Sequence, residues 1–109
     1  MAFPLKDFNQ ELGSNEEIVS YVNENFPRVD FPLFSLSSLR ESPVYRNIYK
    51  QQPDKKVKWN FYKYLVDWNG RVVKMYDNKV TPMELSSEIE TLLNEANRIG
   101  RGGHKLVTA

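Results

Sequence analysis

The chain has 109 residues, with 15 lysines and arginines against 14 aspartates and glutamates and a formal net charge of +1. That fits one small domain or part of one, and so even a charge gives no electrostatic case for nucleic acid or an acidic membrane as the main partner. Cysteine is absent and histidine occurs once, which excludes disulfides, thiolate metal sites, cysteine nucleophiles and multi-histidine metal centres within these residues.

Hydrophobic residues make up 40% and charged residues 27%, an ordinary balance for a globular protein. No run approaches the roughly 18 apolar residues of a membrane span, and no signal peptide opens the chain. No metal or cofactor is expected, and the expected compartment is the cytoplasm.

Met1-Ala2-Phe3-Pro4 reads as the end of an apolar strand stopped by proline, which has no N–H to donate. Leu5 to Gly13 reads as a loop. Ser14-Asn15-Glu16-Glu17 is a capping box, with the Ser14 hydroxyl serving the N–H of Glu17 and Glu17 reaching back. The helix behind it puts Ile18, Tyr21 and Val22 on one face, and Pro27 ends it.

Phe31 to Leu36 reads as a short strand, with Pro32 marking either its start or a position where one donor is dispensable. Ser42-Pro43 opens a second helix with proline first, Val44, Tyr45, Ile48 and Tyr49 form its apolar stripe, and Gln52-Pro53 closes it. From Phe61 bulky residues alternate with Lys63 in the pattern of a strand. Asn69-Gly70 supplies two residues that tolerate positive φ, so the chain can reverse into Arg71 to Tyr76 as a hairpin.

Thr81-Pro82-Met83-Glu84 repeats the cap pattern. Leu85, Ile89, Leu92, Leu93, Ala96 and Ile99 follow at helical spacing, and Gly100 is placed to end the helix. Arg101 to Ala109 shows no periodicity and is expected to be a mobile tail. The order strand, helix, strand, helix, hairpin, helix predicts an α/β fold with helices on a small mixed sheet.

At Phe3-Pro4, Gln10-Glu11, Gly13-Ser14-Asn15-Glu16-Glu17-Ile18 and Lys58-Trp59-Asn60-Phe61 the chain resembles the glutathione peroxidase family. The resemblance runs from Met1 to about Ile99. It implies a thioredoxin-like, three-layer α/β fold, incomplete at the N-terminus, with residues 1–99 as its C-terminal two-thirds and 100–109 as a flexible tail.

The resemblance further implies thiol-dependent reduction of hydroperoxides. The family joins a selenocysteine or cysteine to a glutamine, a tryptophan and an asparagine, and the matching positions are Gln10, Trp59 and Asn60. Neutral N–H donors suit that chemistry because they stabilise a chalcogenolate without competing as bases. The nucleophile has no counterpart in this chain, and Met1 falls where the family has an apolar residue in mid-fold.

The chain departs from the family pattern around Gln10, where Leu5-Lys6-Asp7 replaces Cys-Asn-Gln, one residue is missing between Phe8 and Gln10, and Leu12 replaces proline. The implied partners are a hydroperoxide and a thiol reductant, either glutathione or thioredoxin. Only Gln51 to Val57 separates the second helix from Trp59, which leaves no long loop of the sort tetrameric members use and implies a monomeric type.

Plainer roles compete at each position. Trp59 would serve as a core anchor, Asn60 as a strand-entry residue and Gln10 as a solvated loop residue. Lys55, Lys56 and Lys58 read as a charged connector before a thiol contact, and His104 has no assigned role. The alternative function is a catalytically inactive fragment or pseudoenzyme, acting at most as a binding module, with apolar faces at Phe34 and Leu65 left open to self-association.

Overall fold

The computed structural model describes residues 1–100 in full and the backbone of residues 105–108. Helix α1 spans Asn15–Asn25 and helix α2 spans Pro43–Gln51. Strands β1 (Lys63–Val66) and β2 (Val72–Tyr76) follow, then helix α3 (Ser86–Arg98) and strand β3 (Lys105–Thr108). No helix among the described residues is long and apolar enough to cross a membrane.

β1 is the centre of a three-stranded antiparallel sheet with the order β2-β1-β3. Successive side chains of a strand point to opposite faces, and both faces of β1 are covered. Tyr64 and Val66 join Phe3, Leu5, Tyr45, Ile48, Val57, Tyr62 and Val72 in one cluster, on the α2 side. Leu65 joins Tyr76 and Leu85 in a second cluster, against Ile89 and Leu92 of α3. The result is the three-layer α/β arrangement of a thioredoxin-like fold.

The helix starts follow their caps. Ser14 Oγ accepts from the Glu17 N–H at 3.2 Å, while the Glu17 carboxylate accepts from Gly13 N at 3.1 Å, one residue further back than the box predicts. Ser42 Oγ accepts from Tyr45 N, with Pro43 first in α2. Thr81 and Glu84 form a capping box at the third helix start, in which Thr81 N donates to Glu84 at 2.6 Å. That N–H holds the Glu84 carboxyl below its usual range. Pro82–Leu85 is a 3-10 turn, and the α-helix proper starts at Ser86.

The two strands expected at the N-terminal end and at Phe31 to Leu36 appear only as isolated parallel bridges, Ala2 with Leu33 and Leu5 with Ser37. Ala2 makes both bonds of a parallel ladder, its N–H to Pro32 and its carbonyl accepting from Phe34 N. The next donor would be Pro4, which has none. The pairing then slips: Ser37 N reaches the Pro4 carbonyl, and Leu36 N is taken by the Asn15 side chain at 2.7 Å. The mixed sheet of the sequence reading is therefore an antiparallel sheet with this broken parallel pairing alongside.

The hairpin forms by a different turn from the one expected. Of its loop residues only Gly70 has positive φ, at +81°, and Asn69 does not. Asp67 and Arg71 are bonded through Asp67 N and Arg71 O, leaving a three-residue loop that ends in the left-handed glycine. The Asp67 carboxylate accepts from both Asn69 N and Arg71 N at 2.9 Å. A register shift follows between Leu65 and Val66.

β1 starts at Lys63, two residues later than the alternation suggested, because Phe61 has φ of +63° and breaks the extended run. Leu65, expected to lie open, is 1% exposed, whereas Phe34 is 40% exposed and stacks on Phe3 at 4.4 Å. Lys105–Thr108 pairs with β1 where the sequence shows no period. The rest of the expected tail, Arg101 to His104 and Ala109, lies outside the described residues.

Asp67→Ala removes the acceptor of two loop amides and is expected to cost about 1–2 kcal/mol of stability. Urea unfolding of the variant checks this, and an unchanged midpoint would contradict the role of the carboxylate.

Candidate functional site

The segment Trp59-Asn60-Phe61 forms a turn immediately before β1. Its position is fixed from both sides. Upstream, Val57 is buried and its N–H donates to the Tyr49 hydroxyl of α2 at 3.1 Å. Downstream, Tyr64 of β1 donates its hydroxyl back to the Lys55 carbonyl. Burial raises the pKa of both tyrosines, so both hydroxyls stay protonated at neutral pH. The connector between α2 and β1 is thus tied to each element by one tyrosine hydroxyl, from the partly buried Tyr49 and the buried Tyr64.

The turn presents its side chains outward. Trp59 is 47% exposed, Phe61 is 66% exposed and Asn60 is half-buried. Trp59 is therefore no core anchor. Its ring packs on Phe8, with centroids 5.3 Å apart and planes at 51°. Phe8 is brought there by a turn in which Asn9 N donates to Lys6 O and Asn9 takes φ of +53°. Asp7 anchors the same loop by accepting from Leu39 N at 2.9 Å.

Gln10 lies just past the left-handed Asn9 and is exposed. The Phe8 contact brings the loop that carries Gln10 to Trp59. No hydrogen bond joins Gln10 to Trp59 or Asn60, and none of the three side chains has a hydrogen-bond partner among the described residues. The indole N–H and the two carboxamides are neutral donors free to meet an incoming anion or oxygen. The described residues contain no group of three or more carboxylates or histidines that could hold a metal.

Lys55, Lys56 and Lys58 are exposed on the connector, with Lys56 Nζ 5.7 Å from the Tyr49 ring centroid. His104 lies outside the described residues. Two residues of this region were not singled out in the sequence. Phe8 was legible as the one aromatic side chain of an otherwise mostly polar loop. Lys63 was legible as a charge on the same strand face as Leu65.

A three-layer α/β fold with neutral donors displayed on the turn before a central strand defines the class as thioredoxin-like. No protein-family profile matches the chain. A glutathione peroxidase homolog of Halalkalibacterium halodurans is 35% identical over 100 residues, covering 85% of this chain and 63% of that protein. A glutathione peroxidase-like peroxiredoxin of Saccharomyces cerevisiae is 37% identical over 103 residues, covering 87% and 63%. A chloroplastic phospholipid hydroperoxide glutathione peroxidase of Pisum sativum is 37% identical over 100 residues, covering 85% and 42%. The chain belongs to the glutathione peroxidase family. It spans less than two thirds of the length of these relatives.

Phe8→Ala is expected to free the Trp59 ring. In a Trp68→Phe background, Trp59 emission should shift to longer wavelength and become more accessible to acrylamide. Unchanged emission and quenching would show that Phe8 does not hold the indole.

Proposed function

We propose that the chain is part of a thiol-dependent hydroperoxide reductase in which Gln10, Trp59 and Asn60 are the N–H donors around the reacting chalcogen. The observation that carries the reading is the outward turn at Trp59-Asn60, with both donors exposed to some degree and uncommitted. These 109 residues contain no cysteine, so the nucleophile is supplied from outside them.

A thiolate or selenolate attacks the terminal peroxide oxygen, a chalcogen–oxygen bond forms as the O–O bond breaks, and the alkoxide leaves as the alcohol after taking a proton. The chalcogen is oxidised to the sulfenic or selenenic level and the peroxide is reduced. A reducing thiol then displaces water to give a mixed disulfide or selenosulfide, and a second thiol restores the nucleophile. Glutathione or thioredoxin fits as the thiol. The donors' part is to stabilise the attacking anion and the oxygen that develops charge. The cytoplasm is the setting of this reading, since thiols are kept reduced there.

Purified chain mixed with hydroperoxide and either thiol is expected to consume nothing above a heat-treated control. The native polypeptide, isolated from its cells and sized by intact mass, is expected to carry a chalcogen nucleophile and to consume hydroperoxide. In that polypeptide, Trp59→Phe should lower kcat/KM by on the order of 10²-fold. Saturable turnover by the 109 residues alone would overturn the mechanism.

The missing cysteine also favours a second reading, an inactive thioredoxin-fold module. Phe26, Val29 and Phe31 are exposed together around a groove of about 430 Å³ that runs from Asn25 to Phe31, and the exposed Tyr21 ring lies against Phe26. Exposed apolar surface of this kind promotes association. Under this reading sedimentation of the isolated chain should show concentration-dependent self-association, and a strictly monomeric chain would count against it.

A further inference from the structure

We infer that Lys63 is a positioning residue: its ammonium, donating to the main-chain carbonyl of Phe61, holds the left-handed turn that presents Trp59 and Asn60. Lysine is almost never fully buried without a partner, yet Lys63 is 3% exposed at the start of the central strand. Its Nζ lies 2.5 Å from the Phe61 oxygen. The buried cation is therefore satisfied by the main chain two residues before it.

That carbonyl belongs to a residue in an unfavourable conformation. Phe61 has φ of +63°, a region in which the Cβ of a bulky residue crowds its own backbone. Such a conformation persists only where the surroundings over-determine it. The Phe61 ring is 66% exposed, so packing of the ring supplies little of that constraint. The direction of the carbonyl fixes ψ of Phe61, and the ammonium fixes the direction of the carbonyl.

Trp59 and Asn60 leave the turn on the other side of the same residue, so their aim depends on this bond. Burial pushes the Lys63 pKa down, while Asp77, just beyond β2, and Glu84, in the 3-10 turn before α3, attract the ammonium. Both carboxylates lie on segments that flank the second core cluster.

The catalytic meaning of Lys63 rests on reading Trp59 and Asn60 as donors, but its geometry is tested without turnover, so failure of one is distinguishable from failure of the other. The experiment compares ¹⁵N-labelled full chains: wild type, Lys63→Met, Phe61→Gly and the double variant. Lys63→Met is expected to abolish the left-handed coupling and shift signature at residue 61. It should also move the Trp59 indole and Asn60 carboxamide signals, and speed amide exchange at Asn60 and Phe61 roughly tenfold, as loss of a charge-assisted bond implies. The Asp67 to Gly70 loop signals should stay in place. Because glycine accepts positive φ, Lys63→Met should move the Trp59 and Asn60 signals much less in the Phe61→Gly background. An unchanged residue 61 in Lys63→Met, or equal shifts in both backgrounds, overturns the inference. If Lys63→Met does not fold, the wild-type chain decides. A slowly exchanging Lys63 ¹⁵Nζ ammonium signal with an Overhauser contact to Phe61 supports the assignment, and its absence refutes it.

Discussion

A central strand covered on both faces is the constraint from which the rest follows. Tyr64 and Leu65 are adjacent, point to opposite sides and are 0% and 1% exposed. Each such side chain contributes roughly 1.5–3 kcal/mol on burial, against a whole-domain margin of about 5–15 kcal/mol. Few other neighbouring pairs could matter as much. Tyr64 brings α2 and the N-terminal Phe3 to one side through the edge-on contact of its ring with Tyr45, which itself meets Phe3 edge-on. Leu65 brings Leu85 and the start of α3 to the other. The packing is not free of cost: the Tyr45 hydroxyl is buried without a partner.

A strand with no solvent face also dictates how the chain enters and leaves it. At the exit, Asp67 closes the loop on itself and Gln51 clamps it to α2. The Gln51 carboxamide accepts from Val72 N at 2.8 Å and donates to Gly70 O at 2.9 Å, so one side chain satisfies an amide and a carbonyl of the hairpin. At the entry, the connector is tied down by the hydroxyls of Tyr49 and Tyr64. The candidate donors therefore sit between two fixed points, on the short turn where the backbone must change direction before it can enter the core. Exposure of Trp59 and order in its backbone are two results of the same arrangement.

What was legible in the sequence divides along the same physical line. Helix starts are written locally, in Ser14, Ser42-Pro43 and Thr81-Pro82, and all three hold to within a few residues. Family membership was legible in short motifs that need no knowledge of contacts. Strand limits depend on partners distant in sequence. Alternation could not show that Phe61 would turn left-handed or that Lys105–Thr108 would pair with β1, whereas the stop at Pro4 was legible from its missing N–H. The hairpin was right and its turn wrong, because the deciding acceptor is Asp67, outside the Asn69-Gly70 pair. Of the candidate site, Trp59 and Asn60 are adjacent in sequence and remain together on the turn. The loop that carries Gln10 meets Trp59 through Phe8, a contact no linear pattern encodes.

On the proposed reading, neutral groups at the rim suit the chemistry they would serve. Under that reading a lysine or arginine beside the reacting anion would stabilise it more, but would lower the nucleophilicity of the chalcogenolate along with its pKa. An indole N–H and a carboxamide stabilise developing charge by direction alone, so their worth depends on aim. Aim, in turn, requires a backbone that does not relax when solvent reaches it. Lys63, the one buried lysine among the described residues, donates to the main-chain carbonyl of Phe61, next to Asn60. The ammonium of Lys63 meets the main chain, while the side chains of Trp59 and Asn60 carry no charge.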